Sequence, residues 1–188
     1  MIIHGQNSKT CPSFSLSNRI RRQIWNIVWF LLFRPSPRSA HLWRSLLLKA
    51  FGAKVGKEAH IYSGVKVWAP WMLQVGDYVG IGDGVTIYNM DMVIVGEYAV
   101  ISQGAHLCGG SHDYNSPNFQ LYAKPIVIGA HAWICTEAFV LLGVEVAEGV
   151  VVGARSLLTK SITEPWTVYA GHPARKIGNR EVHKGISI

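Results

Sequence analysis

The sequence predicts an all-β fold, a parallel β-helix of about five coils, preceded by an N-terminal helical segment. Three observations carry that expectation. From Val55 onward an aliphatic residue recurs every six positions, often followed by glycine or another small residue, as in VGKEAH, IYSGVK, VGDYVG, IGDGVT and VLLGVE. The recurring residues group into triplets: Val55, Ile61, Val67; Val75, Ile81, Ile87; Val95, Ile101, Leu107; Ile128, Ile134, Val140; and Val146, Val152, Leu158. Each departure from the period follows a third hexapeptide, by two residues after Val67, two after Ile87 and fifteen after Leu107. A hexapeptide period signals a parallel β-helix in which each repeat is a short strand and a corner, three repeats make a coil, and the aliphatic side chains stack inward. All insertions leave from one corner of the prism, and in repeat proteins such a corner marks the working face.

In chain order, the first element is the segment 1–54. It holds nine Lys or Arg and no Asp or Glu, interleaved with apolar runs in RIRRQIWNIVWFLLFRPSPR and HLWRSLLLKAF. The apolar run Ile24 to Phe33 is ten residues, half of the roughly 20 that a bilayer-spanning helix needs. PRSAHLW lacks the small-residue pattern of a signal-peptide cleavage site, so the segment reads as mature protein. Two readings of it stand: helices packed on the main domain, or an interfacial anchor whose arginines meet anionic lipid headgroups. The rest of the chain carries nine basic and eleven acidic residues, so the net charge of +7 belongs to the N-terminus. No recognition module accompanies that charge, and nucleic acid is not an expected partner. Cys11, Cys108 and Cys135 are odd in number and form no C-x-x-C pair, which predicts neither a disulfide framework nor a thiolate zinc site. A reducing cytoplasm is the expected setting, at the inner face of the membrane if the segment is an anchor.

The β-helix spans 55–160, with an extended loop, 113–127, after coil three; residues 161–188 form a tail. His112 occupies the sixth position of the last hexapeptide of coil three, where the loop departs. In that register Met72 and Met92 stack beneath His112, Trp71 and Asp91 beneath Ser111, and Ala69 and Asn89 beneath Gly109, with coils about 4.8 Å apart. Asn89 and Asp91 are therefore expected within reach of whatever His112 touches, although a corner Asn or Asp often only hydrogen-bonds its own turn. Trp68 and Trp71 are read as packing against the N-terminal helices in preference to stacking on a ligand. Asp113 is a weaker candidate to orient His112, because adjacent strand residues point to opposite sides.

The repeats, with GSHDYNSPNF at the start of the loop, KPIVIGAHAWI after it, and GARSLLTK and YAGHPARKI near the end, resemble the left-handed β-helix acyltransferases of the hexapeptide-repeat O-acetyltransferase family. NIVWFLLFRPSPR, FGAKVG and IYSGVKVWAPW are similar to its colanic-acid-type exopolysaccharide acetyltransferases. The resemblance covers about Ser15 to Ile177. It implies a left-handed coil, against the usual right-handed crossover, a homotrimer, and acetyl-CoA as cosubstrate without a metal. The implied reaction acetylates a sugar hydroxyl in polysaccharide or glycolipid biosynthesis. His112 matches the family's general base, and an imidazole is suited to taking a hydroxyl proton near neutral pH. Thr136 matches the position whose backbone N–H holds the oxyanion. Asn89 and Asp91 match a stretch lining the acceptor pocket. The pantetheine arm is expected past Thr136 and Ala154, with Trp133 near its reactive end and Thr159, Lys160 and Arg175 beside the nucleotide and its phosphates. Direct transfer needs no acyl-enzyme, so Cys108 and Cys135 are expected to be buried coil residues.

The same residues admit rival readings. A γ-type carbonic anhydrase shares the hexapeptide helix and binds zinc through three histidines across a subunit interface; His106, His112 and His131 are the available set. Its additional histidine signature is missing, and the long loop and PAR tail favour acyl transfer. A non-catalytic scaffold is a second rival, and an amino-sugar or antibiotic acetyltransferase is a third.

Overall fold

The computed structural model describes residues 2–5 and 7–181; the end of the expected tail, 182–188, lies outside the described residues. The chain opens with an arm that bridges back on itself at Ile2 and Phe14. Helix α1 (Leu16–Val28) follows, begun by Ser15, whose hydroxyl accepts from the Asn18 N–H at 3.4 Å, and it runs on into a π turn, Trp29–Phe33. Pro35, whose ring and missing N–H oppose continuation, comes just after its end. Helix α2 (His41–Ala50) ends at Gly52, which takes φ +96°. There the Ala53 N–H returns to the Leu48 carbonyl at 3.0 Å and the Gly52 N–H to Lys49 at 2.9 Å, the paired bonds that close a helix through a left-handed glycine.

From Lys54 the chain winds into three parallel faces. The first contains Lys54–Val55, Leu73–Val75, Val93–Val95, Ile126–Ile128 and Glu145–Val146; the second His60–Ile61, Gly80–Ile81, Val100–Ile101, Trp133–Ile134 and Val151–Val152; the third Lys66–Val67, Thr86–Tyr88, His106–Cys108, Phe139–Leu141 and Leu157–Leu158. Registers run Val55, Val75, Val95, Ile128, Val146 on the first face and Ile61, Ile81, Ile101, Ile134, Val152 on the second. On the third they run Val67, Ile87, Leu107, Val140, Leu158. All fifteen are buried, so the six-residue period is the inward column of a left-handed parallel β-helix. A second inward set stands two residues earlier in each repeat, and includes Ala59, Val79, Ala99, Ala132 and Val150 on the approach to the second face.

Two features depart from the expected outline. The insertion after coil three is not an irregular loop: Gly110–His112 pairs antiparallel with Leu121–Ala123, placing His112 opposite Leu121. The helix also does not stop at five coils. Ile162 bridges to Val146, Thr167–Gly171 pairs with Val151–Val152 on the second face, and Ala174–Asn179 doubles back on it. The first part of the tail is thus an incomplete sixth turn.

The N-terminal helices close the opposite end. Within the stack the N–H groups of one coil donate to carbonyls of the next, as His60 does to Val79 and Lys66 to Val85, both at 2.8 Å. Coil one has no coil before it, so its equivalent carbonyls would be an open sheet edge. Trp25 Nε1 donates to the Val67 carbonyl at 2.7 Å and Trp29 Nε1 to Val65 at 2.8 Å. Arg44 Nε donates to Ile61 at 2.6 Å. Trp68 and Trp71 complete this base: Arg22 lies 4.3 Å over the Trp68 ring and Arg21 4.1 Å over Trp71.

Candidate functional site

His112 is the last residue of the outgoing hairpin strand, half-buried at the corner joining the third face to the first. Two glycines let that strand leave so close to the coil below: a side chain on Gly109 would press on the Tyr88 carbonyl at 3.0 Å, and one on Gly110 would collide with the Met90 side chain. The imidazole is held from two directions. Its Nδ1 is 2.9 Å from the Phe119 carbonyl oxygen, and its ring stacks on the Phe119 ring at 4.4 Å with planes 12° apart. A carbonyl only accepts, so in the neutral imidazole Nδ1 carries the proton and Nε2 presents a lone pair. Phe119 supplies both contacts from φ +47°. The N-terminal arm braces it from outside, with the Ser8 N–H on the Asn118 carbonyl at 2.9 Å and the Lys9 ammonium 5.3 Å over the Phe119 ring. Sequence reasoning missed both Phe119 and the arm, since neither contact leaves a spacing signal.

An open depression of about 490 Å³ surrounds the imidazole, lined by His112, Tyr114, Asn115, Gln120, Tyr122 and Lys124 among others. Asp113 turns its carboxylate to the Asn115 N–H at 3.0 Å, a local turn bond that does not reach the imidazole. The residues expected at the acceptor pocket divide. Asn89 does lie beneath Gly109, but it is fully buried: Nδ2 donates to the Ala69 and Met72 carbonyls at 2.7 and 2.9 Å, and Oδ1 accepts from the Ala69 N–H at 3.0 Å. Both amide protons are used, so Asn89 staples the corner below and has no donor to offer a sugar. Asp91 is half-exposed; one oxygen accepts from its neighbour's N–H, Met92, at 2.7 Å, and the other has no protein partner among the described residues.

The residues expected along the cosubstrate stand elsewhere. Trp133 lies exposed on the second face, its Nε1 donating to Ser102 Oγ at 2.8 Å. Thr136 and Ala154 stack one above the other at the corner between the second and third faces, where the Thr136 carbonyl accepts from the Arg155 N–H at 2.9 Å. Among the described residues the Thr136 N–H donates to no protein acceptor. Arg175 joins the adjacent pair Thr159 and Lys160 around a depression of about 360 Å³ at the end of the helix. The chain therefore brings the three end residues together and the two corner residues together, and keeps the corner residues away from His112 by the whole third face, a span on the order of 15 Å at about 3.3 Å per extended residue. Thr159 and Lys160 instead follow Leu158 onto the corner that carries His112, two coils further along, about 10 Å at one strand spacing per coil.

The remaining histidines and cysteines have other surroundings. His106, on the third face, stacks on Phe139 at 4.6 Å, and burial lowers its pKa. His131 sits between the rings of Tyr98, at 5.0 Å, and Trp166, at 6.0 Å, in an aromatic column that starts at Tyr78. Trp166 enters that column through space left by Gly149. His106, His112 and His131 thus occupy three different sides of one chain, and no cluster of three metal-ligating side chains occurs among the described residues. Burial pushes the Cys135 thiol up, away from the thiolate that a nucleophile requires.

No family model matches the chain. Over 167 residues, 89% of this chain and 91% of the relative, it is 43% identical to a protein of Escherichia coli K12 named as a colanic acid biosynthesis acetyltransferase, WcaF. A stretch of 62 residues, 33% of this chain and 29% of the relative, is 44% identical to a chloramphenicol acetyltransferase of Klebsiella aerogenes. Among solved structures, a maltose O-acetyltransferase from Clostridium difficile 630 aligns with TM-score 0.81 over 89% of this chain and 90% of that one, at 20% identity. A hexapeptide-repeat acetyltransferase from Vibrio cholerae, complexed with acetyl coenzyme A, aligns with TM-score 0.80 over 91% and 93% at 20% identity. At that identity the structural likeness speaks for the fold.

Proposed function

The chain belongs to the hexapeptide-repeat acetyltransferases, and from that premise we propose that it carries acetyl from acetyl-CoA to a sugar hydroxyl of an exopolysaccharide or glycolipid precursor, with His112 as the general base. The observation that carries the reading is the fixed tautomer of His112: with Nδ1–H held by the Phe119 carbonyl, Nε2 is free to accept a proton. His112 takes the hydroxyl proton as the sugar oxygen attacks the thioester carbon. The Thr136 N–H stabilises the tetrahedral oxyanion. When the C–S bond breaks, His112 returns its proton to the leaving sulfur, so ester and free thiol are formed and the base is regenerated. Nothing in this sequence needs a covalent acyl-enzyme, in keeping with the thiol form of Cys135.

Assembly follows from the same geometry. Because His112 and the Thr136–Ala154 corner face different directions on one prism, a complete site takes His112 from one copy and the corner from the next, as closed threefold symmetry supplies three times over. Asp91 keeps one unpartnered carboxylate oxygen for the acceptor, while Thr159, Lys160 and Arg175 hold the nucleotide end of the cosubstrate. The relative named for colanic acid biosynthesis supports a sugar acceptor. The test is His112→Ala: turnover should fall by roughly 10² to 10⁴ with CoA affinity unchanged. Turnover near that of the parent would remove His112 from the mechanism.

A further inference from the structure

Helix α1 is apolar on two opposite sides. Trp25 and Trp29 point into the β-helix, where their indoles cap coil one. Leu16, Ile20, Ile24 and Ile27 recur at steps of four, four and three, which at 3.6 residues per turn places them on one stripe, and Leu31 follows in the π turn. That stripe faces outward: Leu16 is 66% exposed, Ile27 58% and Leu31 60%. On α2, Leu42 and Leu46 are exposed as well, Leu42 at 74%. With Trp25 and Trp29 already packed on the β-helix, the outward stripe has no partner among the described residues. Ten large apolar side chains between Leu16 and Leu46 are at least 44% exposed. Summed, they leave on the order of 800 Å² of exposed apolar surface if a large apolar residue offers roughly 150 Å², and a contiguous share of it above a few hundred Å² marks an interaction site.

We propose that this outer face of α1 and α2 docks the protein on an anionic lipid surface, lying in the interface without crossing it. Charge decides between the two occupants an apolar stripe could have. Arg19 and Lys49 are exposed on the two helices, and the chain has no acidic residue before Glu58. A second copy seated on the stripe would bring these cations together with no carboxylate to offset them. An anionic bilayer places phosphates at headgroup level, where the long basic side chains reach while the leucines and isoleucines enter the acyl boundary. No helix among the described residues is long and apolar enough to cross a membrane. The buried side of α1 is fastened by two indole hydrogen bonds, so the helix arrives folded and ordering it adds little cost on binding.

The experiment uses the full chain and flotation with vesicles of phosphatidylcholine, with and without phosphatidylglycerol. Binding to the anionic vesicles is expected at low salt, weakening as salt rises because the charge contribution is screened. The pair Ile20→Glu with Ile27→Glu, and separately Leu42→Glu with Leu46→Glu, should each reduce binding by about tenfold or more, with the melting temperature unchanged. Two pairs on different helices guard against one that fails to fold. A full chain that ignores anionic vesicles at low salt overturns the proposal, as do folded variants that bind like the parent. So does sedimentation showing a larger assembly that the same substitutions dissolve, which would make the stripe a contact between copies. None of these readouts involves acetyl transfer, so the result stands apart from the fate of His112.

Discussion

Replacing Arg44 tests how the N-terminal helices are attached. Arg44 is fully buried, and burial lowers its pKa, yet it has no carboxylate partner among the described residues. Its guanidinium is surrounded by acceptors: Nε donates to the Ile61 carbonyl at 2.6 Å, Nη1 to Ser36 Oγ and the Pro37 carbonyl at 2.8 and 2.7 Å, and Nη2 to the Arg38 carbonyl at 2.7 Å. Nη2 also lies 3.1 Å from His41 Nδ1. Buried ion pairs can often be exchanged for hydrophobic side chains without loss, because both charges leave together. Here three of the acceptors are main-chain carbonyls, which no substitution removes. Arg44→Met therefore strands carbonyls that charged hydrogen bonds had satisfied, at about 1.5–3 kcal/mol for each such bond. Ile61 keeps a contact from His41 at 2.9 Å, and water can reach part of the 34–40 loop, so the expected loss is about 3 kcal/mol rather than the full sum. Arg44→Lys, with three donors on a flexible stem, should lose roughly half as much. Denaturant unfolding followed by circular dichroism, at one fixed protein concentration, reads both. A methionine variant within about 0.5 kcal/mol of the parent would show that the guanidinium does not fasten the loop to coil one.

Two further outcomes follow from the site and from burial. Mixing His112→Ala chains with Ala154→Trp chains, each inactive alone, should restore about a quarter of parental activity if every site joins a histidine from one copy to a corner from its neighbour; no recovery after subunit exchange would place both halves on one chain. Because burial lowers the pKa of His106, the unfolded chain takes up a proton at a pH where the folded chain does not. Stability should thus hold above the ordinary imidazole value and decline as pH falls below it. A His106→Gln variant with the same decline in unfolding midpoint between about pH 7 and 5 would assign it to other groups, His41 foremost, whose pKa burial also lowers.

The inward column was legible because its signal is contrast. Val, Ile or Leu every six residues stands out against Gly, Asp and Lys, and the three insertions fixed which repeats share a coil. The second inward set was harder to see: Ala59, Ala99 and Ala132 have little hydrophobic contrast, and they are inward because the corner is tight there. The incomplete sixth turn was hidden because Thr167–Gly171 carries no hexapeptide pattern and holds its place by pairing with Val151–Val152. The position of His112 at the insertion was legible, but not its tautomer, which depends on a carbonyl seven residues away brought back by the hairpin. Asn89 shows another limit. Its place beneath Gly109 was legible, but whether its amide faces outward or its own scaffold depends on two carbonyls from another coil. Similarly, nothing in the sequence says that two tryptophans will aim their indoles at coil-one carbonyls.

That indole and guanidinium cap bears on how the molecule stays finite. A stack of identical coils is a one-dimensional crystal, and a crystal face grows as long as it presents the binding groups of the layer beneath. Carbonyls at Ile61, Val65 and Val67 are such groups, ready to accept the N–H groups of another chain's strand. Trp25, Trp29 and Arg44 occupy them with side chains that donate and cannot accept. The growth face is thereby poisoned, as an adsorbed impurity halts a crystal step: an arriving strand finds its acceptors taken and no pleated surface to copy. The length of the β-helix is set at this end by three donor groups that belong to no coil.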